Sequence, residues 1–106
     1  MDLQLKGKRV LITGGSKGIG LAIAQAFAAE GAVPLLVSRT RSQLDQAVQT
    51  IFTNHRIQAE AFDADLSQPG SAEKLRDAVG DIDVLVNNAG AIPGGSLHDI
   101  TEDKWR

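Results

Sequence analysis

The sequence predicts an α/β fold in which parallel strands alternate with helices. Short aliphatic runs alternate with amphipathic stretches along the chain, which is the pattern of consecutive βαβ units. A glycine-rich segment, GGSKGIG, joins the first aliphatic run to the first amphipathic stretch, where a tight strand-to-helix turn is required. Right-handed crossovers would place four strands in the order 3-2-1-4, which is half of a doubly wound sheet.

Each element follows from the spacing of its apolar residues. Strands are predicted where aliphatic residues run together, and helices where apolar residues recur every three or four positions. In chain order we expect strands at residues 9–13, 33–37, 59–63 and 84–87, and helices at 18–30, about 42–54 and 71–79. The alanine-rich third strand is the weakest of these signals. A loop at 91–99 that is rich in glycine and proline should follow, and then a helix capped by Thr101.

The same spacing predicts which face of each helix is buried. In the first helix, Ile19, Ile23 and Phe27 lie four positions apart and should form the buried stripe, with alanines filling it in. The inward-facing residues expected in the other two helices are Leu44, Val48, Ile51, Leu75 and Val79. Because proline cannot donate a hydrogen bond within a sheet, Pro34 is expected at the very start of the second strand.

The fourth strand would lie at an edge of this sheet. Its sequence, Val84-Leu85-Val86, is apolar, whereas exposed edge strands usually carry charges, proline or a bulge. We therefore expect further structure beside it.

Composition excludes several classes of protein. A chain of 106 residues with 42% hydrophobic and 23% charged residues should form one globular domain over residues 1–106. A net charge of -2 argues against a nucleic-acid partner, and the absence of cysteine excludes a disulfide framework or a thiolate metal site. The strongly apolar run at 32–37 is too short to span a bilayer, and no stretch resembles a signal peptide. We expect a soluble, cytoplasmic protein with no membrane partner and no metal.

The glycine-rich segment predicts a binding site for a phosphorylated ligand. Glycines let the backbone approach a pyrophosphate closely, and the helix that follows offers free N–H groups and a positive dipole end. The spacing of Gly14, Gly18 and Gly20 differs from G-x-G-x-x-G, so that fingerprint is not satisfied. The alternative is a glycine-rich turn that only reverses the chain.

Three motifs in order resemble the short-chain dehydrogenase/reductase family. They are Thr13-Gly14-x-x-x-Gly18-x-Gly20, then Asp65-Leu66 after the third strand, then Asn87-Asn88-Ala89-Gly90 after the fourth. The resemblance implies a Rossmann-type fold and a dinucleotide cofactor. It places around the pyrophosphate and its ribose the residues Gly14, Ser16, Gly18, Ile19 and Gly20. It places Asp65 and Leu66 beside the adenine, and Asn88, Ala89 and Gly90 along the adenosine ribose. Asn87 is expected to be structural, and a loop-capping carboxylate is the alternative for Asp65.

Charges near the predicted site favour NADP(H). In NAD sites an acidic residue about 20 positions beyond the glycines binds the ribose 2′-hydroxyl. Here that position falls on Ser38 and Arg39, and a guanidinium can grip a 2′-phosphate with two charge-assisted hydrogen bonds. Lys17 in the glycine loop would be a second cation, and Arg41 a third at longer reach. NADP(H) is the predicted cofactor, with NAD(H) as the alternative.

The family's catalytic groups are not found in these residues. A tyrosine followed four residues later by a lysine performs the acid–base step in the family, yet the sequence contains no tyrosine. The family's serine, lysine and asparagine would likewise fall beyond Arg106. Neither His55 nor His98 has a visible partner for catalysis or metal binding.

The resemblance therefore implies a truncated cofactor-binding portion of an oxidoreductase. The complete enzyme would interconvert a carbonyl and an alcohol by hydride transfer, as a homotetramer or dimer, and this chain alone should be inactive. The alternative is a non-catalytic module that binds a nucleotide or a partner protein.

Overall fold

The structure, a computed structural model, describes residues 4–88. It contains four strands and three helices in strict alternation: β1 (Arg9–Thr13), α1 (Gly18–Ala29), β2 (Val33–Ser38), α2 (Arg41–His55), β3 (Glu60–Asp63), α3 (Ser71–Val79) and β4 (Val84–Asn87). The strands form one parallel sheet in the order β3-β2-β1-β4, which confirms the predicted topology. The predicted loop at 91–99 and the helix at Thr101 lie outside the described residues.

Both faces of the sheet are buried because successive side chains of a strand point to opposite faces. On β1, Val10 and Ile12 join one core, and Leu11 joins the other. The first core includes residues of α1 and α2, and the second includes residues of α3. Burial on both faces explains why these strands read as continuous aliphatic runs.

The buried stripe of α1 differs from the prediction. Gly20, Ala24 and Ala28 are the buried residues of this helix, whereas Ile23 and Phe27 are only partly buried. Ile19 is 72% exposed. Small residues at every fourth position bring the helix close to the sheet, so the larger side chains can only pack along its flanks. The prediction was wrong for Ile19, whereas Ile23 and Phe27 pack against the first core without being fully buried.

Pro34 lies inside β2, paired with Val10, one residue later than predicted. The N–H of Val33 donates to the Lys8 carbonyl, so odd residues of β2 face β1 and even residues face β3. The pairing with β3 begins only at Leu35. The Pro34 nitrogen therefore points past the start of β3, where no hydrogen bond is lost.

Other boundaries shift by a residue or so. The first helix ends at Ala29, because the Glu30 N–H bonds to the Phe27 carbonyl in a tighter turn. The second helix extends one residue further at each end, with Arg56 in the left-handed conformation as its C-cap. Ala47 joins Leu44 and Ile51 in its buried stripe, while Val48 is only partly buried. The third helix and fourth strand have the predicted bounds.

Arg9 connects several elements by hydrogen bonds at the amino edge of the sheet. Its Nη1 donates to the carbonyls of Val79 (2.6 Å) and Asp81 (2.7 Å) at the end of α3. Its Nη2 donates to both carboxylate oxygens of Glu60, at 2.9 and 3.1 Å, at the start of β3. Its main-chain N–H donates to Asp83 just before β4. One side chain thus ties β1 to β3 and α3.

The sheet has an open edge at β4. Within residues 4–88 this strand pairs only with β1, and Val84, Leu85 and Val86 are only partly buried. The predicted apolar edge is therefore present in this part of the chain. None of the helices between residues 4 and 88 is both long and apolar enough to cross a membrane.

Candidate functional site

The predicted site residues meet at the carboxyl edge of the sheet. Parallel strands end at the same edge, and Thr13 of β1 lies in register with Val37 of β2 and Asn87 of β4. Ser38 and Asp63 end β2 and β3 side by side. The segments that follow these strands include Gly14, Arg39, Asp65 and Asn88, so motifs that are far apart in sequence share one edge. Ala89 and Gly90 lie outside the described residues.

The glycine loop leads into a helix whose first turn has no side-chain cap. Lys17 is the N-cap residue in an extended conformation, its side chain makes no capping hydrogen bond, and the first turn has no acidic residue. Gly18 has φ +60°, and a β-carbon added there would have no heavy atom within 4 Å. The space beside Gly18 is therefore open, and it adjoins the first turn of α1, which is the positive end of the helix dipole. An anion fits such a place.

Gly20 is required for the close approach of α1 to the glycine loop. A β-carbon at this position would overlap the Gly14 carbonyl oxygen and would lie 2.9 Å from Nδ2 of Asn88. Because the nearest neighbour is main chain, it cannot rotate away as a flexible side chain can. The identity of residue 20 thus fixes how closely the helix meets the loop.

Two residues of the loop point in opposite directions. Ser16 is buried (8% exposed), and its hydroxyl lies 3.5 Å from Gln43 Oε1 on α2. Ile19 projects its apolar side chain into solvent beside the helix start. The loop thus presents main-chain groups and an apolar side chain to solvent, while its serine faces α2.

The end of β4 holds the glycine loop from the other side. Thr13 is fully buried, and its hydroxyl donates to Asn87 Oδ1 at 3.1 Å. Nδ2 of Asn88 donates to the Gly14 carbonyl at 3.4 Å. Asn87 therefore connects β1 to β4, as the structural role expected for it requires, and Asn88 contacts the loop itself.

Cations at this edge differ in their partners. Lys17 and Arg39 are exposed, and within residues 4–88 neither side chain makes a hydrogen bond or an ion pair. Arg41 instead pairs with Asp63 (Nη2–Oδ1, 3.2 Å) and more loosely with Asp45 (Nη1–Oδ1, 3.7 Å). Sequence reasoning missed this arrangement, since Asp63 is separated from Arg41 by an entire helix. Lys17, at the uncapped start of α1, and Arg39, after β2, therefore both face solvent at this edge.

Asp65 is fixed by the turn that follows it. Its Oδ1 accepts hydrogen bonds from the Ser67 hydroxyl (2.6 Å) and the Ser67 N–H (3.0 Å). These bonds hold the pKa of Asp65 below its ordinary value of 3.8, Gln68 and the charge of Arg39 lower the pKa further, and the small degree of burial opposes them. Asp65 is therefore a capping carboxylate and still lies at the site edge. The Leu66 side chain is buried in the core beside α3.

A cleft of about 420 Å³ lies on the outer side of the site. Its wall is formed by β3 and α3, with Phe62 and Leu75 among its apolar residues and Lys74 at its rim. It reaches the carboxyl edge of the sheet at Asp63 and Asp65, and the glycine loop is not among its lining residues. No motif in the sequence indicated it, because it is formed where an edge strand meets a helix.

The histidine at position 55 serves helix packing. Its Nε2 lies 3.3 Å from Gln25 Oε1, which links the end of α2 to α1. Among residues 4–88, no group of three or more histidine, aspartate or glutamate side chains is arranged to hold a metal ion. His98 lies outside the described residues.

Comparison with known proteins identifies the family. A family model described as short chain dehydrogenase matches residues 8–106, which is nearly the whole chain. The chain belongs to the short-chain dehydrogenase family. The resemblance stated from the three motifs is thereby confirmed, and the parallel sheet agrees with it.

Related proteins are longer than this chain. A sorbose reductase of Schizosaccharomyces pombe is 44% identical over 108 residues, which cover 95% of this chain and 42% of the relative. The solved structure of L-sorbose reductase from Gluconobacter frateurii, complexed with NADPH and L-sorbose, is 39% identical with a TM-score of 0.75, and the match covers 85% of this chain and 36% of that one. The complex of Pseudomonas aeruginosa RhlG with NADP is 32% identical with a TM-score of 0.74, covering 92% and 40%. The chain thus spans about 40% of the relatives' length.

Proposed function

We propose that this chain is the NADP(H)-binding portion of a short-chain oxidoreductase that interconverts a carbonyl and an alcohol. The observation that carries the proposal is a pair of exposed cations at the carboxyl edge of the sheet, Lys17 at the uncapped start of α1 and Arg39 after β2, whose side chains make no hydrogen bond or ion pair within residues 4–88. A dianionic 2′-phosphate at this edge would find two cations and no acid at the end of β2. The family membership and the NADPH and NADP complexes of similar proteins support the same cofactor.

The glycine loop fits the pyrophosphate of such a cofactor. The space in front of Gly18 is open, and the α1 amides face it without a competing side-chain oxygen. We assign to this part of the ligand Gly14, Ser16, Gly18, Ile19 and Gly20. The buried position of the Ser16 hydroxyl favours contact through its main chain, while the exposed Ile19 would cover an apolar part of the ligand.

The adenosine half would lie between the ends of β2, β3 and β4. We assign its adenine edge to Asp65 and the main chain of Leu66, because the Leu66 side chain is committed to the core. A carboxylate with a lowered pKa stays ionised and can accept a hydrogen bond from an exocyclic amine. The ribose contacts are assigned to Asn88, Ala89 and Gly90.

The chemical step requires groups outside these 106 residues. NADP(H) supplies or accepts the hydride, and a positioned acid or base must move the proton on the reacting oxygen. The chain has no tyrosine, and we propose that the acid–base residues belong to a further segment of the protein. Residues 1–106 would then form one domain that binds and orients the cofactor, within an enzyme that assembles as a homotetramer or dimer.

The test is a titration of the protein with NADPH and NADH, followed by cofactor fluorescence. Arg39→Asp replaces a phosphate-binding cation with a repelling carboxylate, so we expect NADPH binding to weaken about 10- to 100-fold and NADH binding to change little. Lys8→Asp makes the same charge change at the opposite edge of the sheet and should leave both affinities nearly unchanged. An equal loss for both cofactors in Arg39→Asp would contradict the assignment.

A second measurement separates the enzyme from a pure binding module. The isolated 106-residue chain should bind NADPH and show no carbonyl reduction. Turnover by that chain would overturn the assignment of the acid–base residues to another segment. NADPH binding with no turnover in any longer form of the protein would favour the non-catalytic module.

A further inference from the structure

The last residue of β3 places a carboxylate next to the proposed 2′-phosphate position. Asp63 is the register partner of Ser38, so the two side chains lie on the same face of neighbouring strands, about 5 Å apart at the main chain. Ser38 accepts a hydrogen bond from the Thr40 N–H, and Asp63 pairs with Arg41. Both side chains therefore contact the segment from Thr40 to Arg41 at the start of α2, directly after Arg39.

A carboxylate at this position would weaken the binding of NADPH. A phosphate monoester has a charge between about -1.5 and -2 at neutral pH, whereas the 2′-hydroxyl of NADH has none. Repulsion between exposed charges extends over roughly 10 Å at moderate salt. An unpaired Asp63 would thus weaken NADPH binding and leave NADH binding nearly unaffected.

Arg41 forms an ion pair with this carboxylate. Its Nη2 lies 3.2 Å from Oδ1 of Asp63, and its Nη1 lies 3.7 Å from Oδ1 of Asp45, one turn further along α2. The Arg41 side chain is 48% exposed, and its guanidinium contacts two acids. Lys17 and Arg39 make no such ion pair within the described part of the chain. The three cations at this edge therefore have different tasks.

We propose that Arg41 determines cofactor preference indirectly, by neutralising Asp63 beside the 2′-phosphate rather than by binding the phosphate itself. This inference rests on the proposed function. It predicts that the charges of Arg41 and Asp63 cancel near the phosphate, so that removing either charge alone shifts the preference for NADPH and removing both leaves it nearly unchanged. A residue that bound the phosphate directly would leave a loss of preference even when Asp63 was also neutral.

A double-mutant cycle measures this dependence. The dissociation constants for NADPH and NADH are determined for the wild type, Arg41→Gln, Asp63→Asn and the double variant, and their ratio gives the preference. Arg41→Gln should lower the preference for NADPH about three- to tenfold, the range expected for exposed charges a few ångströms apart. Asp63→Asn alone leaves Arg41 without this partner and should raise the preference by a similar factor, and the double variant, which lacks both charges, should return to within about twofold of the wild type.

Two controls test whether the effect of Arg41→Gln is specific to Asp63 and whether it is electrostatic. Asp45→Asn in the Arg41→Gln background removes the other acid that pairs with Arg41 and should restore little, because Asp45 lies one helical turn further along α2 and is not a register neighbour of Ser38. In about 1 M salt, where the screening length falls to roughly 3 Å, the loss caused by Arg41→Gln should largely disappear. Circular dichroism on each variant confirms that α2 is intact.

Each other outcome overturns the inference. If the double variant stays well below the wild type in its preference for NADPH, Arg41 contacts the phosphate. If it weakens NADPH and NADH binding alike, Arg41 only supports α2. A wild-type protein that binds NADPH no better than NADH would refute the proposed cofactor itself, before any variant is compared.

Discussion

Replacement of Gly20 by alanine tests whether close approach of α1 to the glycine loop determines stability. In an exposed helix, alanine is favoured over glycine by about 1 kcal/mol, so helix propensity alone predicts a more stable protein. The structure predicts the opposite. A β-carbon at residue 20 would overlap the Gly14 carbonyl oxygen and lie 2.7 Å from the Gly14 carbonyl carbon.

The magnitude follows from these two opposed terms. Overpacking costs about 1–3 kcal/mol, and the upper end applies because the clash is with main chain that cannot rotate away. Subtracting the gain of about 1 kcal/mol in propensity leaves a net loss of about 2 kcal/mol. For a domain of this size that corresponds to a fall in Tm of roughly 8–16 °C. Displacement of α1 should also weaken NADPH binding, because the helix start moves with it.

Thermal and urea unfolding of Gly20→Ala and two controls provide the measurement. Ala22→Gly, at an exposed position of the same helix, measures the propensity term alone and should cost about 1 kcal/mol. Gly18→Ala adds a β-carbon in open space at φ +60° and should show only the cost of a left-handed residue, about 1 kcal/mol. A Gly20→Ala protein as stable as the wild type or more so would refute the reasoning.

Two further predictions concern the amino edge of the sheet and the turn after β3. Arg9→Met keeps the apolar stem of the side chain and removes its hydrogen bonds to α3 and Glu60. The free energy of unfolding measured by urea titration should therefore fall by about 2–3 kcal/mol. The control Lys8→Met should change it by less than about 0.5 kcal/mol. Ser67→Ala should raise the pKa of Asp65 toward 3.8 in a carboxyl NMR titration. The lowered pKa stabilises the fold above pH 3.8, and this contribution is lost as the pH falls through the folded value, so the variant should lose less stability on acidification.

The strand order and most element boundaries could be predicted from the sequence. The spacing of apolar residues marks each strand and helix, and the right-handed connection of βαβ units then limits how the strands can be ordered. The two faces of β1 are both buried, so RVLIT reads as one aliphatic run, and handedness then leaves a single arrangement for βαβ units. The bounds of α3 matched because glycines stand at both caps, Gly70 and Gly80. Where caps are less distinct, as at Thr40 and Arg56 around α2, the bounds shifted.

The buried face of α1 could not be predicted because it depends on distance. A ranking by hydrophobicity selects Ile19, Ile23 and Phe27, but the fully buried residues are Gly20, Ala24 and Ala28, while Ile23 and Phe27 are partly buried against the core and Ile19 is exposed. The glycine motif contained the missing signal, since a glycine within a helix costs stability unless close packing requires it. Small residues four apart, starting from that glycine, would have given the correct face.

The site could be located from sequence, but its charge pairing could not. Motifs after successive parallel strands must share one edge, and the structure brings them there. Which cations lack an ion-pair partner depends on contacts between residues that are far apart in the sequence. Arg41 was ranked as a third phosphate ligand, and only the tertiary position of Asp63 shows that it is already engaged. For Asp65 the sequence left two roles open, a ligand contact and a loop-capping carboxylate, and the structure shows the bonds of the second role, from the Ser67 hydroxyl and N–H.

The geometry of the glycine loop depends on the strand at the open edge of the sheet. Gly14 accepts a hydrogen bond from Asn88, and the buried Thr13 is tied to Asn87, so two of the contacts that hold the loop come from the end of β4. Within residues 4–88, β4 is itself held by β1 alone and is only partly buried. Whatever stabilises β4 should therefore also order the loop, and strand pairing along that edge and cofactor binding should reinforce each other. The apolar Val84-Leu85-Val86 edge thus has a functional consequence as well as a packing one.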